Sequence, residues 1–194
     1  MVRCFLAISL SESVKKRLQA LQQELAKTGA DVRWVRPEGI HLTLKFLGNV
    51  PEEKIEPIAK AAQEVVAKFG PLRLRVKGLG AFPSGRKPRV IWAGLEGDLK
   101  PLLRLQKELE DSLAKLGFEP ESRPFVPHLT LGRVKSGRKM DKLRQVLAEK
   151  NDRVGEGWEE MQIENLVLYQ STLKPSGAVY TPLKIIPFGG ANPK

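Results

Sequence analysis

Two apolar periodicities alternate along this chain, and they do so twice in the same order. Phe5-Leu6-Ala7-Ile8 is the short unbroken apolar run of a buried strand. The spacing then lengthens to that of a helix. Val14, Leu18, Leu21 and Leu25 share one face, Ser9 or Ser11 offers an N-cap, and Gly29 a stop. The same signals return with Val90-Ile91-Trp92-Ala93 as strand. Leu102, Leu105, Leu109, Leu113 and Leu116 then form one helical stripe between Asp98 and Gly117. After each helix comes a segment of period two, the mark of a half-buried strand: His41-Leu42-Thr43-Leu44 and His128-Leu129-Thr130-Leu131. A second helix follows each, over about 52–68 and about 139–149. Pro57 requires the former to begin near it or to bend there. Strands at Leu72 to Lys77 and at Gln162 to Gln170 close the two halves, the latter pairing with Val179 to Ile186 across the Lys174-Pro175-Ser176-Gly177 turn.

The pattern is strand–helix–strand–helix–strand, twice. It predicts an α+β fold of two duplicated lobes, with two antiparallel or mixed sheets facing a central cleft and helices outside. The expected organisation is one bilobal domain over 1–194, with pseudo-repeat halves of about 1–80 and 89–187. Gly78 to Pro88, rich in Gly and Pro, is the crossover, and Gly189 to Lys194 are expected to fray.

The two His-Leu-Thr-Leu copies lie 87 positions apart (41 to 128) and contain the only histidines. A chance second copy has odds below about one in a hundred. Strand alternation sets Leu42 with Leu44, and Leu129 with Leu131, toward a core. His41 with Thr43, and His128 with Thr130, then face the other way. Imidazole titrates near neutrality, so one ring can accept a proton from a nucleophile while the other donates to a leaving oxygen. The threonine hydroxyls can hold the nonbridging oxygens of a phosphate. This is the inventory for phosphodiester chemistry without a metal. Two histidines and the remote Cys4 do not make up the three or four ligands of a zinc site, and no metal or other cofactor is expected. Ser–His–Asp hydrolysis is disfavoured by the lack of a nucleophile elbow.

Charge sharpens the choice of partner. A formal net charge of +11 attracts polyanions. A single cysteine excludes an intrachain disulfide and fits a reducing compartment. No stretch approaches the ~20 apolar residues of a membrane span, and the N-terminal apolar run is short for a signal peptide. A cytoplasmic monomer with no membrane partner is expected.

Three residues just past the motifs are further candidates. Arg133 suits a grip on a phosphate or base, and Phe46, its counterpart in the first half, suits core packing first and base stacking second. Strict alternation turns both away from the histidines, so either role needs a bulge or strand end. Lys45 shares the face of His41 and Thr43 by alternation and would add positive potential there, or be a solvated lysine.

With these segments in view, the chain resembles the 2H phosphoesterase superfamily, named for two His-x-Thr-x motifs. Within it the resemblance is to the RNA 2′,3′-cyclic phosphodiesterases, also called 2′-5′ RNA ligases. It rests on Arg3 to Ile8, His41 to Gly48, Arg89 to Gly94, Pro127 to Arg133 and Ser171-x-Leu173-x-Pro175-x-Gly177-Ala178-x-Tyr180. It implies a bilobal fold and metal-independent opening of an RNA 2′,3′-cyclic phosphate end to a 2′-phosphate, tRNA fragments being among the candidate substrates. It further implies His41 as general acid, His128 as general base and Arg133 near the ligand, and some members join RNA ends through a 2′-5′ bond. The residues alone do not order the two histidines. Alternative readings are a noncatalytic RNA-end-binding module, or a phosphodiesterase of 2′-5′ oligonucleotides or small cyclic nucleotides.

Overall fold

The computed structural model describes residues 1–190. The fraying expected at Gly189 to Lys194 therefore lies, from residue 191 on, outside the described residues. Chain order is β1 (Val2–Ser9), α1 (Glu12–Ala26), β2 (Val32–Trp34), β3 (His41–Val50), α2 (Ile55–Val66), β4 (Leu72–Phe82), β5 (Val90–Gly97), α3 (Leu99–Ala114), β6 (Leu129–Val134), α4 (Met140–Lys150), β7 (Met161–Ile163), β8 (Asn165–Lys174) and β9 (Gly177–Pro187). The local signals hold. Ser11 caps α1 through its hydroxyl, Gly29 adopts a φ of 74°, and Pro57 sits in the first turn of α2, where its missing N–H costs nothing. Asp98 stands at the N-cap of α3, but its carboxylate accepts from the Arg73 N–H at 2.8 Å and so fastens the helix start to β4.

Every strand pair is antiparallel. One sheet runs β3-β1-β8-β9 and the other β2-β6-β5-β4-β7. The strands expected to close each half are exchanged. β4 pairs with β5 in the second sheet, while the β8–β9 hairpin completes the first. The single strand expected over Gln162 to Gln170 divides at Glu164, β7 joining one sheet and β8 the other. β2, too short to register as a period, pairs with β6. Hydrophobic alternation fixes which residues are buried but not which neighbour a strand takes, and that is where the expectation failed.

The helices are exchanged as well. α1 follows a strand of the first sheet yet packs beside α4, which lies on β4 of the second; α3 follows β5 yet packs beside α2 and on β3. The predicted helical stripes are buried at Val14, Leu18, Leu21 and Leu25 in α1 and at Leu102, Leu105, Leu109 and Leu113 in α3, while Leu116, expected in the second stripe, lies past the end of α3 and is only partly buried. Leu42, Leu44, Leu129 and Leu131 join the same continuous core. The result is two interleaved lobes, each sheet assembled from both halves of the chain.

Candidate active site

The leucines of both motifs are at most 3% exposed, while His41, Thr43, His128 and Thr130 are only partly covered. The four polar groups thus occupy the faces turned from the core, as alternation predicts. β3 is the edge strand of the first sheet and lies against β6 of the second, so the strands that carry the two motifs meet between the sheets.

Each motif ends in the same irregularity. In β3, Thr43 pairs with Ala7 but Lys45 with Leu6, so Leu44 is an extra residue. In β6, Thr130 pairs with Trp92 but Gly132 with Ile91, so Leu131 is the extra residue. A bulge reverses the sense of alternation beyond it. Phe46 therefore pairs with Phe5 on the His41 side and is 69% exposed, and Arg133 emerges exposed on the Thr130 side. The parity objection to both residues is removed by the bulges, which recur at the 87-residue offset of the motifs.

The same bulge corrects the expectation for Lys45. It is turned inward, where its ammonium donates to Glu110 Oε2 at 2.7 Å and to the Glu119 carbonyl at 2.6 Å. It is neither at the mouth of the site nor solvated. At the matching position in β6 stands Gly132, where a Cβ would come within 2.5 Å of Val32 and 2.8 Å of Trp34. The closeness of β2 admits no side chain there.

The two histidines differ in their surroundings. His41 stacks against Phe5 (centroids 4.9 Å, 20°) and Tyr169 (5.5 Å, 19°), and meets Tyr180 edge-on at 5.0 Å. Burial among these rings, with a smaller repulsion from the Lys15 ammonium, lowers its pKa to about 4. His128 meets Phe82 edge-on at 5.1 Å, and its Nδ1 lies 2.7 Å from the Val126 carbonyl. A carbonyl only accepts, so Nδ1 carries the hydrogen and Nε2 of the neutral ring is the acceptor.

The rings around His41 were missed as site residues because Tyr169 and Tyr180 sit on the hairpin assigned to the other half. Arg33 was missed with β2, where it pairs with Arg133. One signal was available for Phe5: it and Trp92 are also 87 positions apart, and each lies on the strand paired with a motif. No group of three or more residues of metal-ligating type is gathered among the described residues.

A fold of two interleaved antiparallel sheets with a His-x-Thr pair on each open face defines a class of phosphoesterase. A family model described as LigT like Phosphoesterase matches residues 8–92 and again 95–180, and the chain belongs to that family of enzymes. The chain is 37% identical over 185 residues to a protein of Methanothermobacter thermautotrophicus named RNA 2′,3′-cyclic phosphodiesterase, covering 95% of this chain and 97% of that one. A Thermotoga maritima protein of the same name is 37% identical over 189 residues, 97% of each chain. Among solved structures, TT0787 of Thermus thermophilus superposes with a TM-score of 0.78 at 30% identity, covering 98% of this chain and 100% of that one.

Proposed function

We propose that the protein opens RNA 2′,3′-cyclic phosphate ends to 2′-phosphates without a metal, His128 acting as general base and His41 as general acid. The observation that carries this reading is the pair of His-x-Thr faces on strands that lie against each other. In the step proposed, Nε2 of His128 takes a proton from water as its oxygen attacks phosphorus. The bond from phosphorus to the 3′ oxygen breaks, and His41 delivers a proton to that oxygen. The hydroxyls of Thr43 and Thr130 donate to the nonbridging oxygens. Arg133 grips the nucleotide and Phe46 offers its exposed ring to the base. A 5′-hydroxyl in the place of water would leave a 2′-5′ phosphodiester, the ligase direction of the same chemistry.

Electrostatics support the order of roles. The Val126 carbonyl keeps a hydrogen on Nδ1 of His128, which leaves Nε2 as the nitrogen that can exchange a proton. A pKa of about 4 leaves His41 uncharged at neutral pH in the free protein. A phosphate monoanion about 4 Å away contributes on the order of 4 kcal/mol at an effective dielectric near 20, or about 3 pKa units. That returns His41 to the neutral range only when substrate is bound.

The test is turnover of a 2′,3′-cyclic nucleotide in excess EDTA, with products resolved as 2′- or 3′-phosphates. The 2′-phosphate should be the sole product, at a rate unchanged by the chelator. Formation of the 3′-phosphate would reverse the assignment of the leaving oxygen, and a lost rate restored by zinc or magnesium would overturn the metal-free reading. Extending the assay to a tRNA fragment with the same end tests the larger substrate.

A further inference from the structure

Gln22 and Gln106 are only 5% and 8% exposed, and both are directed at the ends of the histidine motifs. A buried amide is costly unless its donors are matched. Gln22, on α1, donates from Nε2 to the Leu131 carbonyl at 2.8 Å and to the Val35 carbonyl at 2.7 Å. Gln106, on α3, donates from Nε2 to the Leu44 carbonyl at 3.3 Å and to Glu110 Oε1 at 3.2 Å. Leu44 and Leu131 are the extra residues at which the two motif strands bulge.

Each glutamine comes from the opposite half of the chain. The first helix of the first half reaches the second motif, and the first helix of the second half reaches the first. They occupy matching places in the two helices. At an offset of 84 residues, Leu18-x-x-Leu21-Gln22-x-x-Leu25 of α1 matches Leu102-x-x-Leu105-Gln106-x-x-Leu109 of α3, with the same positions buried. Matching amides of the two helices thus serve equivalent carbonyls, each in the motif of the opposite half.

We propose that Gln22 and Gln106 are positioning residues that hold the two bulges, and through them set Arg133 and Phe46 on the same faces as the histidines. A bulge competes with regular pairing, and a slip of one residue turns every later side chain to the opposite face. An amide bonded to the bulged residue's carbonyl favours the bulged register. Gln22 also bridges Val35, the residue after β2, to Leu131 of β6, whose carbonyl accepts the Val35 N–H at 2.9 Å as well, two positions from the Arg33–Arg133 pair. Gln106 acts with Glu110, whose other oxygen receives the inward-turned Lys45. His41, Thr43, His128 and Thr130 precede the bulges and keep their faces in either register. Losing a glutamine therefore weakens nucleotide binding and spares the chemical step.

This inference rests on the function proposed above for its kinetic arm only. Gln22→Met and Gln106→Met should each raise KM for a cyclic mononucleotide by roughly 3- to 100-fold, the range of couplings between residues in contact, with kcat within about twofold. Gln22→Met should add nothing in an Arg133→Ala background, and Gln106→Met nothing in a Phe46→Ala background. The crossed pairs, Gln22 with Phe46 and Gln106 with Arg133, should multiply. Backbone amide exchange gives a reading that needs no turnover. Exchange should quicken at 131–133 in Gln22→Met alone and at 44–46 in Gln106→Met alone. Asn at either position, one methylene short of the carbonyl, provides a second variant with the same expectation. If the wild-type protein turned over no cyclic phosphate while exchange followed this pattern, the proposed function would fall and the positioning role would stand. Effects that multiply in every pair, fall on kcat, or spread exchange over the whole fold would overturn the positioning role.

Discussion

The ring of Phe5 lies 4.9 Å from that of His41 and within 20° of parallel, with Tyr169 stacked on the same imidazole at 5.5 Å. Phe5 and Tyr169 are cross-strand partners, so β1 and β8 together build an apolar wall around a titratable group. Water that would stabilise the imidazolium is displaced by aromatic carbon, and the charged form is penalised.

The first prediction concerns the resulting titration. In the free protein His41 should titrate near pH 4, followed by the imidazole carbon protons in NMR, and should move upward by one unit or more when a 2′-nucleotide binds. Because the pKa is lower folded than unfolded, the unfolded chain binds the extra proton first. The fold should therefore lose stability as pH falls from about 6.5 toward about 4. The loss from this residue is at most on the order of 3 kcal/mol, and His41→Phe should remove that part of the pH dependence. A His41 that titrates above pH 6 in the free protein would defeat this account.

A second prediction separates chemistry from folding. His41→Ala and His128→Ala should each lower turnover by roughly 10²–10⁴-fold, the usual contribution of a positioned acid or base. Thermal stability should change little at neutral pH, because Leu42, Leu44, Leu129 and Leu131 carry the packing of both strands. Wild-type turnover in either variant would exclude paired acid–base catalysis.

Third, the Lys45–Glu110 pair should matter to the fold and not to substrate charge. Both side chains are under a tenth exposed, and Glu110 Oε2 also accepts the Glu121 N–H at 3.2 Å. Lys45→Met strands a buried carboxylate, which typically costs about 3–5 kcal/mol. Calorimetry should show a fall in Tm of roughly 6–20 °C for a chain of this size. The double variant Lys45→Met/Glu110→Leu should recover part of that loss. A Lys45→Met protein as stable as the wild type would show that the pair contributes little.

Much of this was legible in the sequence because period and repetition survive folding. The strand and helix stripes, the leucine-in, histidine-out alternation and the 87-residue duplication depend on local geometry alone. The bulges were legible only as a condition, since extended φ/ψ angles do not announce an extra residue at Leu44 or Leu131. Sheet membership was not legible at all. Strand β4 and the β8–β9 hairpin carry the same alternation whichever sheet they join, and their exchange decided that Tyr169 and Tyr180, rather than residues of β4, surround His41. Lys45 was misplaced for the same reason as Phe46 and Arg133: one inserted residue reverses parity for everything after it.

The last prediction concerns where RNA beyond the terminal nucleotide is held. The segment from Pro83 to Arg89 leaves β4 at Phe82, whose ring touches His128, and returns at Val90, which pairs with Arg133. It carries Arg86, Lys87 and Arg89, all exposed, and none of these has an acidic partner within 4 Å among the described residues. Unpaired cations beside the second motif are placed to meet phosphates that follow the one at the histidines. Each phosphate neutralised on a single strand adds about −0.7 to the slope of log affinity against log salt. Changing Arg86, Lys87 and Arg89 together to Gln should therefore make that slope shallower by up to about 2 for an oligonucleotide. Turnover of a cyclic mononucleotide should be nearly unchanged, because that substrate has no second phosphate to lose. Arg133→Ala should instead impair both substrates, since a group at the terminal nucleotide serves long and short ligands alike. Fluorescence anisotropy across a salt series, set beside mononucleotide kinetics, reads the two effects separately. Loss of mononucleotide turnover in the loop variant with full activity in Arg133→Ala would place the terminal nucleotide at the loop and the RNA body at Arg133, the reverse of the arrangement argued here.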